Sequence, residues 1–307
     1  MYCNCTLRMI FFLVLFDTLK LVLTKSYNIV ESESNSNETT ETKVKLQSFR
    51  NLIINGTPSP RRLFYARVKL IRQHGFCGAS ILEGSFILTA ASCVAAKHPD
   101  EMIVEVGDFS RIRRHYYPSN KITLYPVNAI YLAPGFEEGV RPKNDLAILK
   151  LKYHIPGTWF YALPICSEEV PETDYGSTLV GSCGMGYVST SRDHTAVSHK
   201  LKEIYFTMTI FDSSEGLFFS RCREDNICTT PILDGGNICI MDEGGPLFKF
   251  HCDTMEPECI LGVASYSMSK PNTSVPTQHR EICNDGSYFT RLSLFQDWID
   301  SVLLNRY

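Results

Sequence analysis

The run Asn237-Ile238-Cys239-Ile240-Met241-Asp242-Glu243-Gly244-Gly245-Pro246-Leu247-Phe248-Lys249-Phe250 holds the pattern around which the rest of the chain can be ordered. An acidic pair and two glycines stand between two apolar stretches, and the closing PLFKF has the length of a short strand. Similar runs recur on both sides, at residues 63–70 (LFYARVKL), 85–92 (SFILTAAS), 101–109 (EMIVEVGDF), 145–153 (DLAILKLKY) and 259–267 (CILGVASYS). Gly, Pro, Asn and Asp separate them. Their length and spacing predict short antiparallel strands in a barrel or sandwich. Residues 292–304 (LSLFQDWIDSVLL) instead carry apolar residues at helical spacing, which predicts one C-terminal helix packed on an all-β body.

Ahead of residue 53 the texture differs. Arg8 precedes an apolar run at residues 9–16 (MIFFLVLF), of signal-peptide length and far short of a membrane span. Residues 1–25 therefore read as a signal peptide, with an uncleaved short anchor as the alternative. Residues 26–52 are polar, acidic at their centre and poor in aromatics. Such a segment buries too little surface to fold alone and reads as a disordered acidic pro-segment. Residues 53–307 are then the folded domain. Twelve cysteines in a chain with an apolar leader point to a secreted, disulfide-bonded protein; Cys3 and Cys5 fall in the leader and ten remain. Sequons at Asn37, Asn55 and Asn272 fit an extracellular glycoprotein. The net charge of -3, with no long basic run, argues against nucleic acid as a partner. No cofactor and no metal is expected.

Five stretches, taken in order, resemble the chymotrypsin/trypsin family of serine proteases (peptidase S1). They are Ile53-Ile54-Asn55-Gly56, then Cys77-Gly78-Ala79-Ser80 leading to Thr89-Ala90-Ala91-Ser92-Cys93, then Asn144-Asp145-Leu146-Ala147, then Cys239 to Pro246, and last Gly286-Ser287-Tyr288 before a Trp-bearing segment. The resemblance implies a trypsin-like fold, two packed six-stranded antiparallel β-barrels with the C-terminal helix and a site in the cleft between the barrels.

Peptide hydrolysis by this family's route needs a hydroxyl nucleophile, an imidazole base and a buried carboxylate that orients the imidazole. At the matching triad positions this chain has Glu243, Ser92 and Asp145. A serine hydroxyl is no base near neutral pH, so only the orienting carboxylate is kept. His74, His98, His115, His154, His194, His199, His251 and His279 all lie outside the matching motifs. Asp145 is expected as a buried relic bonded to Ser265 or Ser92. The oxyanion-hole positions are the backbone N–H groups of Met241 and Glu243. Glycine is the family's residue where Met241 stands, and a side chain limits the backbone there.

The resemblance bears on activation, specificity and cross-linking as well. Activation in the family frees an Ile amino group, which pairs with the Asp before the nucleophile; Ile53 and Asp242 match, but Leu52 precedes Ile53 where a basic residue is usual. Uncleaved, Asp242 is expected to lack its partner and its loops to be less ordered. The pocket positions are Asn237 at the floor, Ser265 and Ser267 on the wall, and Gly286; the alternative is that these are loop residues that bind nothing. The disulfides implied by the resemblance are Cys77–Cys93 and Cys239–Cys283. Cys222–Cys228 and Cys252–Cys259 could close small loops, and Cys166–Cys183 is left by elimination.

The function implied is that of a catalytically inactive serine protease homologue, of the kind arthropods carry in haemolymph and reproductive secretions. It would bind extracellular proteins, an active protease or a protease inhibitor among them, as cofactor, decoy or regulator of a proteolytic or reproductive/immune pathway. The alternatives are an active serine-type endopeptidase with a remodelled site and a structural secreted glycoprotein.

Overall fold

The computed structural model describes residues 56–72, 75–110, 122–157, 160–187, 197–212, 220–232, 236–268, 283 and 286–304. The predicted signal peptide (1–25) and pro-segment (26–52), Ile53 and the sequons at Asn37, Asn55 and Asn272 lie outside the described residues.

The domain enters through β1 (Thr57–Pro58) and then winds a first barrel. Its strands are β2 (Tyr65–Leu70), β3 (Phe76–Glu83), β4 (Phe86–Thr89), β5 (Met102–Val106), β6 (Thr123–Leu132) and β7 (Ala147–Leu151). The order β2-β3-β4-β7-β6-β5 closes through antiparallel pairing of β2 with β5. Along β2 Tyr65, Ala66 and Val68 are buried and Lys69 is exposed. Val68, Ile81, Ile87, Val104, Val127 and Leu149 share the barrel's apolar core.

The second barrel uses β8 (Leu179–Gly184) and β9 (Lys202–Thr209), then, after a two-strand hairpin of β10 (Phe211–Asp212) and β11 (Ser220–Arg221), β12 (Asn226–Pro231), β13 (Pro246–Phe250), β14 (Pro257–Ser267) and β15 (Ser287–Arg291). These run β9-β12-β15-β14-β13-β8, with β8 pairing back onto β9 to close the barrel and β1 added at β9. Val180, Ile204, Phe206, Leu247 and Phe289 fill its core. The C-terminal segment opens with a 3-10 turn at Leu292–Phe295 and continues as the α-helix α1 (Gln296–Leu304). The helix predicted over 292–304 is thus shortened at its start, where the turn buries Leu292 and Phe295.

Two of the contacts that join the barrels frame the cleft. Phe64, just before β2, packs edge-on against Phe248 of β13 with ring centroids 5.6 Å apart. Gly78 of β3 approaches the turn before β13 so closely that a Cβ there would lie 2.7 Å from Gly245 N. Its own N–H donates to the Glu243 carbonyl at 2.7 Å. A side chain at position 78 would push apart the two elements that frame the cleft.

Four disulfides link described residues: Cys77–Cys93, Cys222–Cys228, Cys239–Cys283 and Cys166–Cys259. The last corrects two predicted pairs, Cys166–Cys183 and Cys252–Cys259. Ile165 bridges Ile260 in parallel and the Cys166 N–H donates to the Ile260 carbonyl, which sets Cys166 beside Cys259 of β14. Across the β13–β14 ladder Cys259 faces Lys249, not Cys252. Cys252 is disulfide-bonded elsewhere. Cys183 is a free thiol inside the second barrel, 1% exposed, and burial pushes its pKa well up. The Cys166–Cys259 link spans a sequence separation of 93. Replacing both cysteines by serine is expected to lower stability by about 2–4 kcal/mol, read as a fall in the urea midpoint, with an m-value that rises because the unfolded chain loses a cross-link.

Candidate functional site

Asp145 sits immediately before β7, on a loop that the second barrel grips. The Arg223 guanidinium donates to the carbonyls of Arg141 and Pro142, each at 3.1 Å. The Asn144 N–H donates to Asp225 Oδ2 at 3.0 Å. Thr290 of β15 donates its hydroxyl to the Asp145 carbonyl at 3.0 Å. The aspartate is therefore fixed from both barrels, and it is fully buried.

Its carboxylate is satisfied without an imidazole. Oδ1 accepts the Ser92 N–H at 2.7 Å, while Oδ2 accepts the hydroxyls of Ser92 at 2.9 Å and Ser265 at 2.6 Å. Burial raises the Asp145 pKa, and the bonds from Ser265 and Ser92 oppose that rise. Ser92 and Ser265 come from different barrels, so this small network spans the cleft at the positions sequence singled out.

Across from it, the segment 239–245 forms a tightly held turn. Cys239 O accepts from Asp242 N at 2.9 Å, Asp242 O from Gly245 N at 3.0 Å, and Ala264 O from Gly244 N at 2.7 Å. Met241 adopts φ 75°, the left-handed region. A side chain there costs a non-glycine residue about 1–2 kcal/mol, yet the backbone takes the conformation and points its N–H into the turn. The acceptor is Glu243 Oε2, at 2.7 Å. The backbone donor expected to face an oxyanion is engaged by the chain's own carboxylate. Glu243 is half-buried, and its pKa is pushed up to about 7 by burial, against the pull of the Glu243 and Met241 N–H groups, with nearby Asp145 adding to the rise.

Asp242 is held in the continuous chain by backbone donors, while its expected activation partner, Ile53, lies outside the described residues. Its Oδ1 accepts the Gly186 N–H at 2.7 Å and its Oδ2 the Cys239 N–H at 3.0 Å. It is 2% exposed, and burial raises its pKa to about 7 against those backbone bonds. The carboxyl fits only because residue 184 is glycine: a Cβ there would fall 2.1 Å from Oδ1.

These two carboxyls give stability a definite dependence on pH. Both have folded values near 7, above the ordinary 3.8 and 4.5, so the folded chain holds protons that the unfolded chain releases. Their contribution is complete below the unfolded values and is lost as pH rises to about 7. The urea midpoint is expected to fall across that window and level off above it. In Glu243→Gln the fall should be shallower; identical slopes in the two proteins would contradict the assignment.

The pocket residues meet through Ser287. Its hydroxyl donates to Asn237 Oδ1 at 3.0 Å and accepts the Ile238 N–H at 3.1 Å. Ser267 lies opposite Ser287 in the β14–β15 ladder, and the Gly286 carbonyl accepts from Met268 N at 3.3 Å. Tyr266 stacks on Tyr288, with centroids 4.6 Å apart, and donates its hydroxyl to Asn226 Oδ1 at 3.2 Å. Sequence reasoning missed Gly184 and Gly186, Ser287, and the Arg223–Asp225 grip. The Gly-x-Gly at 184–186, at the end of β8, was a usable signal for the first. The grip left none, because its partners are backbone groups far away in sequence.

Two closed barrels and a cleft with these motifs define a class: a protein with the trypsin architecture. The family model for trypsin matches residues 53–299, and the chain belongs to that family. It is 28% identical over 254 residues to human azurocidin, covering 80% of this chain and 84% of that protein. It is 24% identical over 262 residues to mouse neutrophil elastase, covering 82% of each. Among solved structures, human heparin binding protein superposes with a TM-score of 0.62 at 25% identity, covering 83% of this chain and 98% of that one.

Proposed function

We propose that this chain is a secreted, non-catalytic member of the trypsin family that acts by binding extracellular proteins, as cofactor, decoy or regulator of a proteolytic pathway. One observation carries the proposal. Where a base and a nucleophile would stand, Asp145 is bonded to the hydroxyls of Ser92 and Ser265, and Glu243 turns its carboxylate onto the Met241 N–H. A carboxylate is too weak a base to deprotonate the Ser92 hydroxyl near neutral pH. A second negative charge at the Met241 donor opposes the charge that acyl transfer would develop there.

The names of the relatives span both possibilities for the family, an elastase and a heparin-binding protein. The net charge of -3 gives no general attraction to an anionic polysaccharide. Four disulfides among the described residues fit extracellular work.

Two assays test the proposal. A fluorophosphonate probe should leave the intact mass of the purified chain unchanged, and an adduct on Ser92 or Ser265 would refute inactivity. The immobilised chain should recover a protease or a protease inhibitor from its native extracellular fluid; repeated recovery of neither would refute the regulatory role.

A further inference from the structure

We infer that Glu243 is a built-in ligand, whose carboxylate occupies a backbone anion site in the cleft and keeps other carboxylates and peptide carbonyls out of it. The inference rests on the non-catalytic reading and extends it to how the cleft is regulated. The site is built from backbone. Left-handed Met241, φ 75°, directs its N–H at Glu243 Oε2, 2.7 Å away. An N–H held in this fixed orientation is a ready donor for an anion, while the N–H groups of Asp242 and Gly244 are taken by the carbonyls of Cys239 and Ala264.

The root of the ligand is as fixed as the site. Glu243 O accepts from Gly78 N at 2.7 Å, and the next residue's N–H is held by Ala264 O at 2.7 Å. A carboxylate on so short and pinned a tether acts at an effective concentration of millimolar or higher, so a free carboxylate must outcompete it. Among the described residues no ion pair draws Glu243 away: the side-chain ion pairs found there involve other acids. The ligand class is a small carboxylate, such as a chain terminus or an acidic side chain of a partner. Shortening Glu243 should open the site to it.

The test uses the full chain and acetate as the probe, with sodium chloride at equal ionic strength as control. In the wild type the Met241 amide should exchange slowly with solvent, and acetate should leave its NMR shift unchanged. In Glu243→Ala that amide should exchange at least about tenfold faster, and acetate should slow it again along a saturating curve, as a bound acceptor does. Glu243→Gln, whose amide oxygen still accepts, should keep the protection, which separates loss of the ligand from loss of the fold. A wild-type Met241 amide that exchanges like an exposed one overturns the inference, and so does a folded Glu243→Ala chain that ignores acetate. None of these readouts involves peptide turnover or partner capture. Hydrolysis by the wild-type chain would sink the non-catalytic reading and leave Met241 protection where it was measured.

Discussion

Ser92→His and Glu243→Ser, introduced together in a chain that begins at Ile53, are expected to create peptide hydrolysis at least roughly a thousandfold above the wild type, from components that are each inert alone. The argument starts from what is already in place. Asp145 is buried, gripped from both barrels, and bonded to Ser265 at 2.6 Å. Its Oδ2 also faces the Ser92 side chain, 2.9 Å away, so an imidazole at residue 92 would meet an acceptor for its ring N–H. Shortening Glu243 to serine does two things at once. It supplies the hydroxyl, and it frees the Met241 N–H for the oxyanion. Either substitution alone leaves a base without a nucleophile or a nucleophile without a base, so the singles should stay at background. The check is a progress curve on a mixed peptide substrate set. If the double variant stays inert and adding Met241→Gly brings activity, the side chain at 241 is the remaining obstacle.

The second large effect concerns the fold. Arg62 lies between β1 and β2 and reaches into the second barrel, where its Nε and Nη2 donate to Glu203 at 2.8 and 3.0 Å. Ser59 donates to the same carboxylate at 3.1 Å, and Arg62 Nη1 reaches Glu256 at 2.8 Å. Glu203 is fully buried and Arg62 nearly so. Arg62→Met keeps much of the volume but strands a carboxylate away from water, and should destabilise the chain by about 3–5 kcal/mol. Changing Glu203→Met as well should recover most of that loss, because a buried pair replaced by apolar groups costs little. Urea titrations of the two singles and the double close the cycle. A mild effect of the single substitution would show that water reaches Glu203.

How far these features could be read from residues alone depended on the range of the forces involved. The strands were legible because short apolar runs, such as those of β4 and β13, are bounded by turn residues. The cleft was legible because Ser92, Asp145 and Glu243 sit in motifs whose order is distinctive. The Cys166–Cys259 bond was not. It depends on a parallel bridge between Ile165 and Ile260, a register between segments distant in sequence, while local spacing favoured Cys252 as the partner. The fold-back of Glu243 was not legible either, since a side-chain rotamer and the left-handed Met241 decide it together. The C-terminal helix came out shorter because its first turn tightened to bury Leu292 and Phe295, a packing effect that helical periodicity does not register.

Incubating the purified wild-type chain, beginning at Ile53, with a diverse peptide library and reading new termini by mass spectrometry bears most directly on the claim that the cleft is chemically silent. With Asp145 bonded to two hydroxyls and Glu243 on the Met241 N–H, no cleavage above a heat-inactivated control is expected. Reproducible cleavage that is lost on Ser92→Ala or Glu243→Ala would contradict the account.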